Sequence, residues 1–381
     1  AQVAPPPEPA TPARMQLGPF SVRPQVVLRD VGYDSNVFNE AQQPEGDFTA
    51  TVGAKVDVGV RVPRLQATYS TLFEYVYFQT FESERGSNRG VEGRADILLG
   101  RLQPYLATGI SRAFDRPTSE IDERAERQQA HVEAGVRARL FSRTFISGAY
   151  RQTSVEYAGD EMFRGVSLAD AFNGTGDAVI VGADVELTPL TTLSVHGERV
   201  QDRFDRSPQR DADSYRLAVT ATTSPLALVS GRASLGVRAF RPLGIQLPEF
   251  TGLTAVIAVG YSAGDSTRLN LTLDRDLRYS FDDLTPYYIS TGGRLTVTEQ
   301  LAGNFDAQAF GSIERIAYEA RLDTLEPAAS DHVRIVGGSV GYRLGDGARL
   351  ALNVDRATRS SPRGDREYSR GRVYTSLNYG F

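Results

Sequence analysis

Two short stretches of the chain place groups that could do chemistry at alternate positions. His131 is followed by Glu133, and Ser194 by His196 and Glu198. Residues two apart share a face of an extended strand. His196 could therefore take the Ser194 proton while Glu198 orients its ring, as nucleophilic hydrolysis requires. The plainer reading is that the polar face of any strand carries such neighbours, and it is preferred here. The third histidine, His332, stands beside a long polar segment. With no Cys and three widely spaced His, no ligand set for a transition metal is in view. No Gly-rich loop follows a strand and opens a helix, so no phosphate cradle is expected. The acids at Asp160-Glu161 and Asp282-Asp283 could hold Ca²⁺ between surface glycans, but merely solvated acids in external loops are the preferred reading. No enzyme activity and no cofactor are expected.

The elements that would position these residues are written in the alternation of the chain. From Phe48 the even positions are Phe48, Ala50, Val52, Ala54, Val56, Val58, Val60 and Val62, against Thr49, Thr51, Lys55, Asp57 and Arg61. The pattern returns at Val91 to Leu99 and at Leu269 to Leu273. This is the period of a strand with unlike faces, and helical spacing is nowhere sustained. The runs are longer than most strands of soluble proteins.

Two kinds of break separate them. Short ones fall at Pro63-Arg64, Leu102-Gln103, Ser142-Arg143, Pro189-Leu190, Pro225-Leu226, Gly264-Asp265, Ala302-Gly303 and Gly345-Asp346. Longer polar ones alternate with them, for example Asp34 to Gly46, Arg116 to Glu126, Gly159 to Gly176 and Ala320 to Asp331. Eight short turns with a terminal strand at each end predict about eighteen strands, an even number with both ends on the short-turn side. That asymmetry is the mark of an up-and-down β-barrel of a bacterial outer membrane, with short periplasmic turns and long extracellular loops.

The charges support a membrane setting. Of the 381 residues 23% are charged, the net charge is −5, and the mean hydropathy is −0.30. No run approaches the roughly 18 apolar residues of a membrane helix. No basic patch points to nucleic acid. Yet the apolar face of each strand centre is free of charge, as a lipid-facing surface must be, since a cation at the bilayer midplane costs roughly 2–4 kcal/mol. The opposite face carries Arg94, Asp96, Glu133, Arg137, Arg216, Arg268, Asp274, Arg294 and Arg334. Both signs together in a dry core would be severely destabilising. A barrel of about eighteen strands is wide enough for a wet lumen instead, so these residues are expected to line a pore and set its charge selectivity. Tyr374 is placed on the same inward face. Phe73, Tyr75, Tyr77, Tyr279, Tyr287 and Tyr379 are candidates for the interfacial aromatic girdles.

The longest loop carries Met162, Phe163, Leu168 and Phe172, which is apolar for an exposed segment. A short helix folding into the mouth would bury them and constrict the pore; an external cap over the mouth is the equal alternative. At the N-terminus, Ala1-Gln2-Val3-Ala4 reads as the start of a mature exported chain, and residues 1–16 as a Pro-rich periplasmic tail ahead of a barrel over 17–381. The chain ends in an alternating strand with Tyr379 and Phe381 on its apolar face. A terminal aromatic in that position looks like the signal read by the barrel-assembly machinery.

The segments Gly18-Pro19-Phe20-Ser21-Val22-Arg23-Pro24 and Gly32-Tyr33-Asp34-Ser35-Asn36-Val37-Phe38 resemble the type-2 β-barrel porins of Gram-negative outer membranes. These often accompany clusters for exopolysaccharide synthesis and export. The resemblance implies an integral outer-membrane channel for a hydrophilic solute, in contact with lipid and lipopolysaccharide. It also implies polysaccharide as cargo and periplasmic export components as partners. A general or nutrient-uptake porin, and a plugged barrel acting as anchor or receptor, are the alternatives.

Overall fold

The computed structural model describes residues 15–264, 266–324, 329–345 and 347–380. The expected tail falls mostly in 1–14, outside the described residues, as does Phe381. Met15 and Gln16, assigned above to the tail, instead belong to a short strand, Met15–Leu17, that pairs with Phe20 to Val22. Gly18, at φ +60°, supplies the left-handed residue this tight reversal needs.

Eighteen strands follow in an antiparallel ring. They are β1 (Phe20–Asp34), β2 (Asp47–Val62), β3 (Leu65–Phe78), β4 (Gly86–Ile97), β5 (Leu102–Asp115) and β6 (Ala125–Arg139). Next come β7 (Thr144–Tyr157), β8 (Gly174–Thr188), β9 (Thr191–Phe204), β10 (Ala212–Thr223), β11 (Val229–Pro242) and β12 (Phe250–Ala263). The last are β13 (Thr267–Tyr279), β14 (Tyr287–Gln300), β15 (Phe305–Glu319), β16 (Ser330–Leu344), β17 (Ala348–Ser360) and β18 (Tyr368–Gly380). Each pairs with its sequence neighbours, and β18 pairs with β1 from Gln25↔Gly380 to Asp34↔Arg372. Closure leaves no sheet edge, so the backbone groups of the wall are satisfied without water. The short turns stand where the alternation breaks, with one adjustment. Leu102 and Gln103 already begin β5, and the reversal before them runs over residues 98–101.

At mid-height the two faces separate as expected. Val52, Leu106, Val181, Leu217, Leu235 and Leu352 project outward and stay exposed. Where the apolar packing lies is less expected. It collects in clusters at the extracellular ends, around Phe163 and Ile121, around Phe240 and Tyr287, around Ile316 and Tyr318, and around Val37 and Phe78. One cluster exists because the wall splits. β12 and β13 stop pairing at Ala255↔Arg275, while β13 and β14 continue together to Tyr279↔Tyr287. The top of that hairpin packs Leu277, Tyr287 and Ile289 against Ala212 and Phe240 of β10 and β11. Arg275 Nε donates to the freed Leu253 carbonyl at 3.2 Å. Tyr279 and Tyr287 are therefore interior packing residues and not girdle residues, Tyr279 donating to Asp202 at 2.9 Å and Tyr287 to the Pro248 carbonyl at 3.0 Å. Phe73, Tyr75, Tyr77 and Tyr379 do face outward and are exposed.

Arg334 also departs from its expected inward placement. On β16 the exposed residues Val336 and Val340 fix the even positions as the outward face, so Arg334 points away from the lumen. Val333 turns inward, buried against Tyr288, Ile316 and Tyr318. In/out polarity is inverted there because the interior at that height is dry and packed, while the exterior has passed the hydrocarbon.

Candidate pore lining and extracellular mouth

Six of the nine expected wall charges stand in ion pairs or hydrogen bonds on the inner face. Arg94 bonds Asp96 at 2.7 Å and lies 3.9 Å over the Tyr105 ring. Tyr105 in turn donates to Glu133 at 2.7 Å. Arg137 meets Asp184 at 3.1 Å, Asp274 accepts from Arg278 at 2.7 Å, and Arg216 pairs with Asp276. Strand alternation alone brings these residues to one surface and sets Arg94 beside Asp96 and Arg278 beside Asp274 within one strand; the Arg137–Asp184 and Arg216–Asp276 pairs depend on how separate strands are brought together. Arg268 and Arg294 differ, having no carboxylate partner among the described residues, although Arg294 stacks 3.7 Å over Phe310.

The histidine–carboxylate pairs do not form a catalytic relay. Arg151 reaches Glu133 at 3.5 Å and also bonds Glu198, so both carboxylates are engaged by cation instead of orienting imidazole. Arg151 was not singled out in the sequence, though its inward phase on β7 was readable. Arg372 is similar, held by Asp355 at 2.7 Å beside Tyr374, which does face inward. A wall recess of about 620 Å³ opens among Arg23, Lys55, Asp57, Glu92, Arg94 and His131. Among the described residues no cluster of acids and histidines could hold a metal. Asp282 and Asp283 are matched by Arg363 at 3.1 Å and Arg210 at 2.6 Å.

Above this polar wall the long loops meet. The β5–β6 loop and the β13–β14 loop are eight strands apart in a ring of eighteen, so any contact between them crosses the mouth. They do touch: the Ser280 hydroxyl donates to Glu120 at 2.6 Å, both groups buried. Arg359, at the end of β17, joins the same knot. It donates to the Ser119 carbonyl at 2.9 Å, to Asp122 at 3.0 Å and to Asp331 at 2.6 Å. Burial pushes the Glu120 carboxyl up to about 7, and it raises Asp122 despite the Arg359 guanidinium.

The β7–β8 loop supplies the apolar half of the cap. Its short helix, Leu168–Phe172, is capped by Ser167, whose hydroxyl accepts from the Asp170 amide, satisfying an orphan donor. Phe163, Leu168 and Ala169 are buried with Ile121, and Phe172 packs on them. Phe163 meets Phe281 edge-on with ring centroids 4.7 Å apart. Met162 does not join them; it alternates with Phe163 in a two-residue strand and is 53% exposed. The loop's apolarity was legible, whereas its partners Ile121 and Phe281, from two other loops, were not.

The segment Gly32 to Phe38 closes the β1–β18 seam. The Asn36 amide nitrogen donates to the carbonyls of Glu40 at 2.8 Å and Ser369 at 3.1 Å. The Ser35 hydroxyl accepts from the Gly371 amide at 2.8 Å. A Cβ on Gly32 would stand 2.1 Å from the Val373 carbonyl oxygen.

Comparison with known proteins agrees with this architecture. The chain superposes on the outer membrane protein OpdK from Pseudomonas aeruginosa with TM-score 0.51 at 11% identity, covering 95% of this chain and 99% of that one. A BenF-like porin from Pseudomonas fluorescens gives TM-score 0.53 at 10% identity, over 96% and 100% of the two chains. OccK2 from P. aeruginosa, in complex with glucuronate, gives 0.53 at 11%, over 94% and 98%. At these identities the likeness is one of fold. No curated protein matches the sequence. The family model described as "Putative beta-barrel porin 2" matches residues 8–381. The chain therefore belongs to that porin family and is an integral channel protein of the outer membrane.

Proposed function

We propose that this barrel passes small hydrophilic solutes, anions in preference to cations, and that the loop knot at its mouth sets the size limit. The observation that carries this reading is the contact of opposite loops across the opening, Ser280 to Glu120 and Arg359 to Asp122. A polymer wide enough to need an eighteen-strand pore would have to displace that whole buried network. The polysaccharide cargo suggested by the family resemblance has no support in the geometry, which favours the general-porin alternative.

Charge preference follows from the wall below. Arg232, Arg268 and Arg294 project inward from β11, β13 and β14 without a carboxylate partner among the described residues. Arg232 and Arg294 stand on one row of the wall, linked through Ala258 and Thr272. Uncompensated guanidinium groups at a water-filled wall attract anions and fork onto carboxylates. A sugar acid such as the glucuronate held by OccK2 is a suitable probe by size and charge.

The test is single-channel recording of the purified, refolded barrel in a planar bilayer under a KCl gradient, with glucuronate added on either side. Wild type should show anion preference and concentration-dependent block by glucuronate. The triple substitution Arg232→Gln, Arg268→Gln and Arg294→Gln should move the reversal potential toward cations and weaken block about tenfold. Cation preference in the wild type, or block unchanged in the triple variant, would overturn the charge assignment. Free passage of a long polysaccharide through the unmodified barrel would overturn the size limit.

A further inference from the structure

Outward-facing arginines near the extracellular ends of the strands differ in their partners: Arg89 on β4 has no carboxylate among the described residues, and Arg275 on β13 bonds the Leu253 carbonyl and the Thr291 hydroxyl. Between β5 and β12 each is matched by an acid: Arg112 by Glu126, Arg199 and Arg203 by Asp213, and Arg241 by Glu249. On β15, β16 and β17 the arrangement changes. Arg315, Arg334 and Arg356 are exposed, share the outward face, and have no carboxylate partner among the described residues. Arg356 makes one long hydrogen bond among the described residues, to the Ser369 hydroxyl at 3.3 Å.

Their placement is regular. Arg315 lies four residues from the extracellular end of β15, Arg334 four from that of β16, and Arg356 four from that of β17. The register sets Arg334 opposite Ile313 and Thr358, and Arg356 opposite Val336. Each arginine is thus the diagonal neighbour of the next, with backbone positions about 7–8 Å apart. His332 stands directly across from Arg315 on the same face. The carboxylates on the outward faces of these strands, among the described residues, are only Glu319, above the arginines at the end of β15.

Two positions nearer the membrane centre, each arginine is followed by an exposed aliphatic residue: Ile313 at 53%, Val336 at 59% and Val354 at 55%. The three cations therefore stand on the upper edge of the lipid-facing apolar belt, at headgroup height. A guanidinium at that level seeks an anion with oxygens in a planar array, and phosphate satisfies its fork bidentately. The protein supplies no such anion here, although it does so at the rim of β5 to β12.

We infer that the outward diagonal Arg315–Arg334–Arg356 is a binding site for the phosphate groups of the phosphorylated glycolipid that forms the outer leaflet. The site fixes which side of the barrel carries a bound lipid, and it is independent of what passes through the lumen. Phosphate is the shared chemistry of a lipid headgroup and the free ion, and the diagonal placement along the belt's edge selects the lipid, because its acyl chains then lie on Ile313, Val336 and Val354.

The experiment is native mass spectrometry of the detergent-refolded full chain titrated with bisphosphorylated lipid A, with enzymatically dephosphorylated lipid A, and with inorganic phosphate. Wild type should retain bisphosphorylated lipid A. The triple variant Arg315→Gln, Arg334→Gln, Arg356→Gln should lose at least tenfold in apparent affinity, while Arg199→Gln, whose arginine pairs with Asp213 on the other side, should match wild type. Equal retention by the triple variant, or equal retention of the dephosphorylated lipid, would overturn the site. Binding of inorganic phosphate as tight as that of lipid A would assign it to free anion instead. Folding is read from heat-modifiable electrophoretic mobility. Should the triple variant fail that check, Arg334→Gln alone replaces it, with a loss of about threefold expected and no loss overturning the inference.

Discussion

The Ser280 hydroxyl donates to the Glu120 carboxyl at 2.6 Å, joining two loops that start on opposite sides of the barrel. Neither loop can leave the mouth without breaking this contact. Glu120 is buried, its second oxygen has no hydrogen-bond partner, and its carboxyl is pushed up to about 7 by desolvation.

The sign of the resulting pH dependence follows from linkage. A carboxyl raised in the folded cap stabilises it fully below the ordinary value of about 4.5. That contribution is lost as pH climbs through about 7, where the buried group must ionise. Open probability or conductance should therefore rise between pH 5 and pH 8, and Glu120→Gln should flatten the dependence. Bilayer recordings at the two pH values check this; a variant that keeps the full wild-type dependence would assign it to another group, Asp122 being the next candidate.

The β7–β8 loop is the apolar half of the cap. Phe163→Ala removes the edge-on contact with Phe281 and leaves a hole in the cluster of Ile121 and Leu168. Truncating a buried Phe costs about 3–5 kcal/mol where the site cannot collapse, here charged to the cap and not to the ring of strands. Larger unitary current and faster cleavage in the loop by protease should follow, with unchanged heat-modifiable mobility. Met162→Ala, by contrast, should leave all three unchanged because its side chain is exposed.

Arg151 bridges Glu133 and Glu198 from β7. Arg151→Gln leaves two carboxylates facing the lumen without their common cation. The reversal potential in a KCl gradient should shift toward cations by several millivolts or more, while unitary conductance changes little. An unshifted potential would place the solute path away from this side of the wall.

At the seam, Gly32→Ala drives a Cβ toward the Val373 carbonyl oxygen, 2.1 Å away, across the β1–β18 closure. The backbone there must yield, and the refolded fraction seen by heat-modifiable mobility should fall severalfold. Gly311→Ala, in β15 with nothing within 4 Å of its Cβ, is the matched control and should refold as wild type.

Much of this was legible in the sequence, for a reason particular to lipid-exposed barrels. Lys55 and Asp57 against Val56 and Val58 separate a wet face from a greasy one by single-residue alternation, so strand phase, parity and the inward placement of Arg94, Glu133, Arg216 and Arg294 needed only local reading. The same rule failed at Arg334, Tyr279 and Tyr287. These residues sit above the hydrocarbon, where the loops make the interior dry and the exterior polar, and local alternation cannot report which loops arrive from across the ring.

By itself, the sequence determined an antiparallel barrel of about eighteen strands with short turns on one side, and a charged interior. Period-two patterning and turn residues are encoded within a few positions of one another. Only the tertiary structure decided that Glu120 meets Ser280, that Phe163 meets Phe281, and that Arg315, Arg334 and Arg356 share one outward diagonal. Those relations join residues far apart in the chain, and they depend on ring closure and strand register, which no local pattern contains.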